Sequence, residues 1–563
     1  MEELLKFTKQ VLTIEWTLFF KIIAIVLLIV MLGMFIYDRF VQRNNQLLIN
    51  FPLIGRMRYF FHLLRDPMRQ YFGDETYYDS FEKIDWINKA AAKKSMLYYS
   101  FSMEKPYNEE RVLFRHANTV LNNEEVNQTL SLTFGENRPY PFVTKSIIGR
   151  SAMSDGAISP EGTQAFAQGA YLGQFPINTG EGGLTSNFLS SHQYSANSEK
   201  NRYFSKKEGT VFAKSIYVLT KFLLNKYIAK NLYRDMVVRA KDADSYIFDE
   251  KRKIFYRIDW SQPLEVFPKE VLEDIPDITF QMGSGLYGVK NKEGMLDADR
   301  YQKVMKFCKM TEIKMAQGAK QTGGKLLAEK VTESIAYYRG IEAHKSIISP
   351  NRFPYAHTIT ELFDFVETLQ ELSEKPVGIK IVISTLENFQ EYSQEIKKRI
   401  DAGKSYPDFL TIDGGDGGSG TAPREMMTRI GLPIRMSLDI VMDELERAGI
   451  RDKIKIIASE KVLTPDDAVE LFMYGADFVN IARGFMISAG CIRARHCSGA
   501  GGHHCPVGLA TMDKAKRSKF LVARKSQTVA NYHNALTDGI KSMLAIMGKK
   551  DVRELSKEDI LEK

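Results

Sequence analysis

The apolar residues of this 563-residue chain follow two patterns, a continuous run near the N-terminus and a repeating alternation over the rest. From Trp16 to Tyr37 the chain is almost entirely apolar, with Lys21 as its one charge. A helix of roughly 20 apolar residues spans the hydrocarbon core of a bilayer, and Trp16 and Tyr37 stand where interfacial aromatics belong. The run predicts a transmembrane helix over residues 16–37, after an N-terminal tail of residues 1–15.

The alternative to an anchor is a cleaved signal peptide, which has a basic start and a small-residue cleavage site. Acidic residues Glu2, Glu3 and Glu15 precede the run instead, and no such site follows it. Positive charge is denser after the run than before it, so the positive-inside rule predicts a single-pass membrane protein with its long C-terminal body in the cytoplasm. The residues compared are Arg39, Arg43, Arg56, Arg58 and Arg65, against Lys6 and Lys9.

From residue 146 onward, short apolar runs alternate with stretches of helical periodicity. Eight strand–helix units in succession predict an α/β fold, a closed parallel (β/α)₈ TIM barrel over residues 146–518. A basic helical lead-in (38–145) precedes it and a C-terminal helical segment (519–563) follows. The candidate strands are Ser146–Ile148, Pro176–Thr179, Asp277–Gln281, Glu312–Ala316, Val377–Ser384, Phe409–Ile412, Lys455–Ala458 and Phe478–Ile481.

The longest gap between candidate strands separates the second from the third, and it predicts an insertion over about residues 187–273. Residues 212–234 within it have the pattern of one basic amphipathic helix. Such a helix either contacts a membrane surface or presents an ordinary solvated face above a stripe of core residues. Its cations are Lys214, Lys221, Lys226, Lys230 and Arg234.

Composition narrows the class of protein. Hydrophobic residues make up 44% and charged residues 26% of the chain, which is ordinary for a globular protein. A net charge of +8 on so long a chain is too mild for a nucleic-acid binder, and it suits a neighbour of an anionic membrane. Four cysteines are too few for a secreted disulfide scaffold, and three of them cluster, which favours metal ligands in a reducing compartment.

Glycine-rich turns follow most of the candidate strands, at the end of a barrel where chemistry collects. Such turns let the backbone approach a phosphate or a flavin ring closely. They occupy residues 151–159 (SAMSDGAIS), 178–183 (NTGEGG), 282–285 (MGSG), 314–320 (KMAQGAK) and 413–420 (DGGDGGSG).

Four of these turns, together with Cys-Pro-Val-Gly at 505–508, resemble in the same order the FMN and iron–sulfur synthase domain of glutamate synthase. The apolar N-terminal helix is similar to that of stand-alone FMN-binding glutamate synthase family proteins. The resemblance implies FMN, and a reductive amination of 2-oxoglutarate by ammonia to glutamate. No strand–GxGxxG–helix fingerprint of a pyridine nucleotide site occurs, so we expect electrons from ferredoxin, a separate reductase or a membrane quinol pool.

The resemblance also implies residue roles. Glu181 is the expected acid–base group, Lys320 and Arg339 bind substrate carboxylates, and Lys314 stabilises the reduced flavin ring. The expected catalytic set is Glu181, Lys320, Arg339 and Ser154, and the expected cofactor-binding set is Ser151, Met153, Asn178, Thr179, Gln281, Lys314, Gln317, Gly414, Gly415, Arg483 and Gly484. Taken alone, Lys320 and Arg339 are equally well read as surface cations. Glu181 has the alternative of a plain loop carboxylate, although its motif favours a functional role, and Met153 is more typical of a packing residue.

The clustered thiols Cys491, Cys497 and Cys505 have the spacing C-x5-C-x7-C, whereas the related synthases have C-x5-C-x4-C. Three thiolates suit a [3Fe–4S] cluster, with His503 or His504 as a further candidate ligand. Unligated thiols and zinc are the alternatives. Cys308 is predicted to be a core residue.

Three departures from the family pattern bear on function. Residue 2 is Glu where a glutaminase cysteine would be expected, Ser459-Glu460-Lys461 stands where the family favours glycines near the phosphate, and Lys325 enters the substrate loop. Two other functions stay open. One is a membrane-bound flavin oxidoreductase or dehydrogenase for a different amino or 2-oxo acid, and the other is a non-catalytic scaffold on a decayed barrel.

Overall fold

A computed structural model describes most of the chain. The described residues are 2–63, 81–93, 112–189, 204–208, 210–224, 226–237, 246–249, 254–258, 271, 273–318, 324–423, 425–427, 429–494, 496–499, 504–517 and 519–561. They fall into two compact units, Met1–Tyr78 with Ser215–Tyr233 and Asp79–Lys214 with Arg234–Lys563. The barrel belongs to the second unit.

Eight parallel strands close into a barrel: β1 Ile148–Arg150, β2 Ile177–Asn178, β3 Ile278–Met282, β4 Met310–Lys314, β5 Val377–Ile381, β6 Phe409–Asp413, β7 Lys455–Ser459 and β8 Phe478–Ile481. They pair in the order β4-β5-β6-β7-β8-β1-β2-β3, and β3 pairs with β4 to close the barrel. The predicted fold class, a (β/α)₈ TIM barrel with an insertion between strands two and three, is confirmed.

Every candidate strand overlaps an observed one, but two predictions were displaced by two residues. β1 begins later than expected because Ser146 binds His533 through its hydroxyl, at 2.8 Å, before the strand starts. β4 ends at Lys314, since the N–H groups of Met315 and Ala316 both turn to the carbonyl of Lys380.

Helices cover the outside of the barrel, and most begin at a residue suited to a helix N-terminus. Thr358 and Thr385 each accept a backbone N–H from the first turn, and Pro465 stands at a first helical position behind a Thr464–Asp467 capping box. The helices are Phe81–Ala91, Pro160–Gly173, Ala298–Met305, Glu333–Arg339, Ile359–Ser373, Leu386–Asp401, Ile434–Arg447, Pro465–Met473, Arg483–Ser488, Lys514–Arg517 and Val522–Ile546.

Three short antiparallel pairs complete the second unit: Leu113–Phe114 with Ile560–Leu561, Thr133–Phe134 with Phe142–Val143, and Lys325–Leu326 with Ile347–Ile348. The second pair closes the amino end of the barrel. Phe134 packs edge-on against Phe409 and Phe478, the first residues of β6 and β8. With an aromatic plug at that end, the polar side chains collect at the opposite, carboxyl end of the strands.

The insertion after β2 contains a three-stranded antiparallel sheet, Phe204–Glu208, Ile254–Ile258 and Tyr246–Asp249, with Ile254–Ile258 in the middle. It also contains two helices, Val211–Leu223 and Lys226–Val237. The prediction of one continuous helix over residues 212–234 was therefore wrong, since one helix ends at Leu223 and the next begins at Lys226.

The first unit begins with the apolar helix Glu2–Ile36, followed by a π-helical turn at Tyr37–Val41, a 3₁₀ turn at Ile54–Arg56 and the helices Gln46–Asn50 and Met57–Leu63. Arg56 binds the carboxylate of Asp38 through Nε at 2.8 Å and Nη2 at 2.5 Å, which ties this region together. Among the described residues one helix, Phe19–Val41, is long and apolar enough to cross a membrane, with 23 residues and a mean hydropathy of 2.9. It overlaps the span predicted over residues 16–37, and length and composition are its only support.

Candidate active site at the carboxyl end of the barrel

An ion pair joins the ends of β2 and β4. Lys314 is the last residue of β4, and its Nζ lies 3.1 Å from Oε2 of Glu181, in the turn after β2. The two side chains are only 9% and 18% exposed. The structure thus brings the predicted flavin-stabilising lysine and the predicted acid–base group into direct contact.

The turn that carries Glu181 needs its glycines. Gly180 has a φ of +67°, and a Cβ there would lie 2.6 Å from the backbone nitrogen of Ser154. A Cβ at Gly182 would lie 2.8 Å from the Cβ of Ser154. The turn after β2 therefore packs directly against the loop after β1, which places Ser154, another predicted catalytic residue, beside Glu181.

A buried carboxylate, Glu312 on β4, accepts hydrogen bonds from polar side chains of three other strands inside the barrel. Its Oε1 accepts from Asn178 Nδ2 at 2.8 Å and from Gln281 Nε2 at 2.6 Å, and its Oε2 accepts from Thr411 Oγ1 at 2.5 Å. The predicted cofactor residues Asn178 and Gln281 thus turn their amide N–H groups toward Glu312. Thr179 accepts the N–H of Gln281 at 2.9 Å. Sequence reasoning missed Glu312, although a glutamate within a buried strand was the available signal.

A second ion pair was also missed, between Lys380 on β5 and Asp413 at the end of β6. Lys380 Nζ lies 3.0 Å from Asp413 Oδ1, and the side chains are 6% and 8% exposed. Burial disfavours the charged lysine, but the carboxylates of Asp413 and Glu312 outweigh it and raise the pKa of Lys380. The other oxygen of Asp413 accepts the Gly318 N–H at 2.8 Å, which holds the turn after β4 to β6.

Arg339 is not the surface cation that its sequence position also allowed. It ends the helix Glu333–Arg339, is 4% exposed, and lies with its guanidinium 5.4 Å from the ring centre of Tyr287. Its Nη2 donates to the Asp155 carbonyl at 2.9 Å, while Nε has no hydrogen-bond partner among the described residues. Burial lowers its pKa. A Cβ at Gly182 would lie 2.6 Å from Nη2, so the guanidinium borders the Glu181 turn.

A second buried arginine, Arg150, binds the backbone of the loop after β1. Arg150 Nη1 donates to the carbonyls of Ser151, at 3.0 Å, and Met153, at 3.3 Å. The side chain lies near the rings of Phe166 and Phe188, and burial lowers its pKa to about 9. Ser151 and Met153 were predicted to bind the cofactor, and Arg150, which sequence reasoning missed, fixes their backbone.

The turns after β6 and β7 meet at a partly buried carboxylate, that of Glu460. A Cβ on Gly414 would overlap the carboxylate of Glu460, and a Cβ on Gly415 would overlap the carbonyl of Gly431. Glu460 Oε2 accepts the N–H of Ile434, the first residue of the helix Ile434–Arg447, at 2.9 Å. Burial raises the pKa of Glu460 to about 7. The departure from the family's glycines thus places an acidic group at the end of β7.

The remaining predicted residues are placed as follows. Gln317 donates to the Gly418 carbonyl at 3.4 Å, and a Cβ on Gly418 would lie 3.1 Å from Arg483 Nη2, so these residues share one region. A Cβ on Gly484 would overlap the Tyr532 hydroxyl, which gives this glycine a packing role against the C-terminal helix. Lys320 lies outside the described residues.

The three clustered cysteines lie in one region, with Cys505 buried and Cys491 and Cys497 half-buried. Burial raises the pKa of the Cys491 thiol to about 11. Lys330 lies beside the cysteines, and its Nζ donates to the carbonyl of Cys497 at 2.5 Å. Within the described part of the chain, which omits residues 500–503 and so His503, no three His, Cys, Asp or Glu side chains are placed to bind a metal. The described residues therefore give no support to an iron–sulfur cluster. Cys308 is buried, as predicted.

The carboxyl end of the barrel does fit FMN. The turns after β2, β3 and β6 come so close to neighbouring groups that a Cβ at Gly180, Gly283 or Gly414 would collide with them. Two buried lysines, Lys314 and Lys380, stand among these turns with their charges balanced by carboxylates. Glycine turns around buried cations suit a flat, electron-rich ring with an anionic tail.

The closed parallel barrel places the protein in the (β/α)₈ class, and its ion pairs lie at the carboxyl end, where the enzymes of this class have their active sites. Residues 79–550 match the conserved region of glutamate synthase. The chain belongs to the glutamate synthase family and is an oxidoreductase.

Among its relatives is the glutamate synthase large subunit-like protein YerD of Bacillus subtilis (strain 168). The two are 29% identical over 565 residues, which covers 92% of this chain and 90% of that protein. The archaeal-type glutamate synthase (NADPH) of Thermotoga maritima is 30% identical over 291 residues, 51% of this chain and 53% of that one. The chain therefore matches about half the length of that relative.

Similar solved structures include a flavocytochrome b2 mutant with pyruvate bound, with a TM-score of 0.41 and 13% identity, covering 87% of this chain and 79% of that one. An oxidised active mutant of (S)-mandelate dehydrogenase has a TM-score of 0.40 and 11% identity, covering 89% of this chain and 99% of that one. These values are too low for residue roles to be transferred.

Proposed function

We propose that this chain is an FMN-dependent oxidoreductase of glutamate synthase type, which converts 2-oxoglutarate and ammonia to glutamate. The observation that carries the proposal is the Lys314–Glu181 ion pair beside the buried guanidinium of Arg339. Family membership supports the choice of substrates.

Reduced FMN, when bound, supplies a hydride to the carbon of 2-iminoglutarate, the condensation product of 2-oxoglutarate and ammonia. Lys314 and Lys380 would hold the ring, since both are buried cations among the glycine turns. The loop fixed by Arg150 would support one side of it. Arg483, at the start of the helix after β8, is in a common position for a phosphate contact in barrels.

Arg339 is suited to the substrate carboxylate. Its Nε lacks a partner among the described residues while Nη2 is engaged, so a carboxylate that reached Nε would satisfy a buried donor. The guanidinium would thereby set the reacting carbon near the Glu181 turn. Lys320, on the turn after β4, is proposed as a second carboxylate ligand on the resemblance alone.

Glu181 is suited to proton transfer. Its Oε2 accepts a hydrogen bond from Lys314 Nζ, with 3.1 Å between the nitrogen and the oxygen, so the pair shares a proton. We assign to this pair the delivery of a proton to the substrate nitrogen as the carbon receives the hydride. Positioned proton transfer of this kind contributes on the order of 10²–10⁴-fold in rate.

The helix Phe19–Val41 is proposed as a membrane anchor that leaves the barrel in the cytoplasm. The electron donor is then ferredoxin, a separate reductase or a membrane quinol. A [3Fe–4S] cluster at Cys491, Cys497 and Cys505 stays a prediction from the resemblance, and no step above uses it.

The test uses the full chain purified in detergent. Its visible spectrum should show flavin bands, and acid release should yield FMN. After chemical reduction without oxygen, glutamate should form only when both 2-oxoglutarate and ammonium are supplied. A flavin-containing protein that forms no glutamate at high ammonium would overturn the substrate assignment and favour a dehydrogenase for another amino or 2-oxo acid. A protein without flavin would favour the scaffold.

A further inference from the structure

The helix Val211–Leu223 is apolar on the side that packs inward and apolar again on the side that faces out. Tyr217 is buried, with its ring 5.3 Å from that of Tyr233. Val218 and Phe222 are 48% and 89% exposed, and Leu219 and Leu223 are 56% and 64% exposed. Each of these pairs is four residues apart, so the four side chains share one face of the helix, away from Tyr217. A solvated helix would place polar residues on that face.

A second segment of the same unit has the same character. In the turn and helix around Ile54–Leu63, Ile54 is 72% exposed and Met57, Phe60 and Phe61 are each more than half exposed. Soluble monomers rarely leave apolar patches of more than a few hundred Å² uncovered. Two such patches in one small unit therefore indicate that another surface covers them.

The chain itself indicates what that surface is. Residues Ser215–Tyr233 cluster in space with Met1–Tyr78, which holds the membrane-length helix Phe19–Val41. Cations flank both apolar segments: Arg58 in the first, and Lys221, Lys226 and Lys230 in the second. Lys221 Nζ lies 5.9 Å from the ring centre of Tyr217, so its stem runs along the apolar helix while its charge stays at the edge.

We propose that Val218–Leu224 and Ile54–Phe61, here called the interface segments, lie in the headgroup region of an anionic bilayer. Aromatic and leucine side chains would enter the acyl boundary, and the flanking lysines and Arg58 would meet lipid phosphates. The contact is separate from the spanning helix and from the redox chemistry. It fixes the insertion of the barrel domain, which follows β2, to the membrane surface.

The test places a tryptophan in the patch of the full chain, as Phe222→Trp, reconstituted into vesicles with brominated acyl chains. The matched control is Leu386→Trp, on the barrel helix Leu386–Asp401, where Leu386 is 41% exposed. The emission added by each variant is measured against the parent chain, in neutral and in anionic vesicles. We expect brominated lipids to quench the added emission at position 222 at least two-fold and leave position 386 unaffected, with aqueous acrylamide showing the reverse.

Three results would overturn the proposal. Acrylamide quenching at position 222 equal to that at 386 would show an aqueous face. Shielding from acrylamide without quenching by brominated lipid would show a protein partner, such as a second copy. Equal quenching in neutral and anionic vesicles, unchanged by Lys→Glu substitutions at Lys221, Lys226 and Lys230, would show that the contact does not depend on anionic lipid. The parent's own emission, from Trp16, Trp86 and Trp260, is the baseline that is subtracted, and none of these readings depends on bound flavin.

Discussion

The two sides of the barrel's carboxyl end differ in whether their carboxylate forms an ion pair. At β2–β4, Glu181 is paired with Lys314 and the residues match the family pattern. At β6–β7, Glu460 departs from that pattern, its bond to protein is a backbone N–H of Ile434, and neighbouring Lys461 is paired with Asp416 at 3.2 Å. Desolvation raises the pKa of Glu460 by more than the nearby charge of Lys461 lowers it, so the neutral form of this carboxyl is favoured. We propose that the first side transfers protons and binds carboxylates, whereas the second side carries a carboxyl whose charge depends on pH.

The largest effect is expected from Glu181→Gln, which keeps the shape of the side chain but removes the carboxylate beside Lys314. Glutamate formation should fall about 10²–10⁴-fold with flavin still bound, since the pair that delivers the proton loses its carboxylate. Steady-state rates with a chemical reductant measure it. Glu342→Gln, in an exposed pair with Lys345, is the control and should leave the rate unchanged. An active Glu181→Gln variant would remove the proton-transfer role.

Arg339→Lys should raise the KM for 2-oxoglutarate by about 10- to 100-fold, because a hydrogen bond to a charged group contributes roughly 1.5–3 kcal/mol. A lysine keeps the charge but not the planar fork. The turnover number should change less than KM, and thermal unfolding should show that the fold survives. Exposed Arg352→Lys serves as the matched control. A KM that stays at the parent value would place the substrate carboxylate elsewhere.

Glu460→Gln should stabilise the protein in a pH-dependent way. The pKa of Glu460 is raised by burial from 4.5 to about 7, so between these pH values the folded state binds more protons than the unfolded state. Stability is then lost as pH rises through this window. The variant should gain about 1–3 kcal/mol over the parent at pH 8 and almost nothing near pH 4.5. Denaturant unfolding across this range measures the difference, and parallel curves would contradict the buried-acid account.

Lys461→Ala should have the smallest effect. Lys461 and Asp416 are 45% and 37% exposed, and such pairs contribute about 0–1 kcal/mol. Unfolding of the variant should follow the parent closely at every pH from 5 to 8. A loss as large as the gain expected for Glu460→Gln would show that Lys461 balances Glu460, and the contrast between the two sides would disappear.

Much of the fold was predictable because the strands of a closed parallel barrel are buried on both sides and read as apolar runs between turns. The exact first and last residues of the strands were less predictable, because individual side-chain hydrogen bonds determine them. The bond between Ser146 and His533 before β1 is an example. The continuous helix over residues 212–234 failed because its two halves share one periodicity, which does not reveal a break.

The site was predictable where a motif carried it and hidden where closure of the barrel created it. Glu181 and Lys314 stand in glycine-rich motifs, whereas Arg339 was named from the family resemblance, and the structure places all three near the turn after β2. Glu312 and Lys380 were missed because their partners lie on other strands, and Arg150 because its role is to bind two backbone carbonyls. The roles of Gly484 and Glu460 depend on Tyr532 and Gly414, neighbours distant in sequence.

Anaerobic reoxidation of the reduced full chain tests the central claim most directly. Flavin absorbance is followed after rapid mixing with 2-oxoglutarate, with ammonium, or with both. We predict that the oxidised flavin bands return within the turnover time only when both are present, with one glutamate formed for each flavin reoxidised. Bands that stay bleached with both substrates, or that return with 2-oxoglutarate regardless of ammonium, would contradict it.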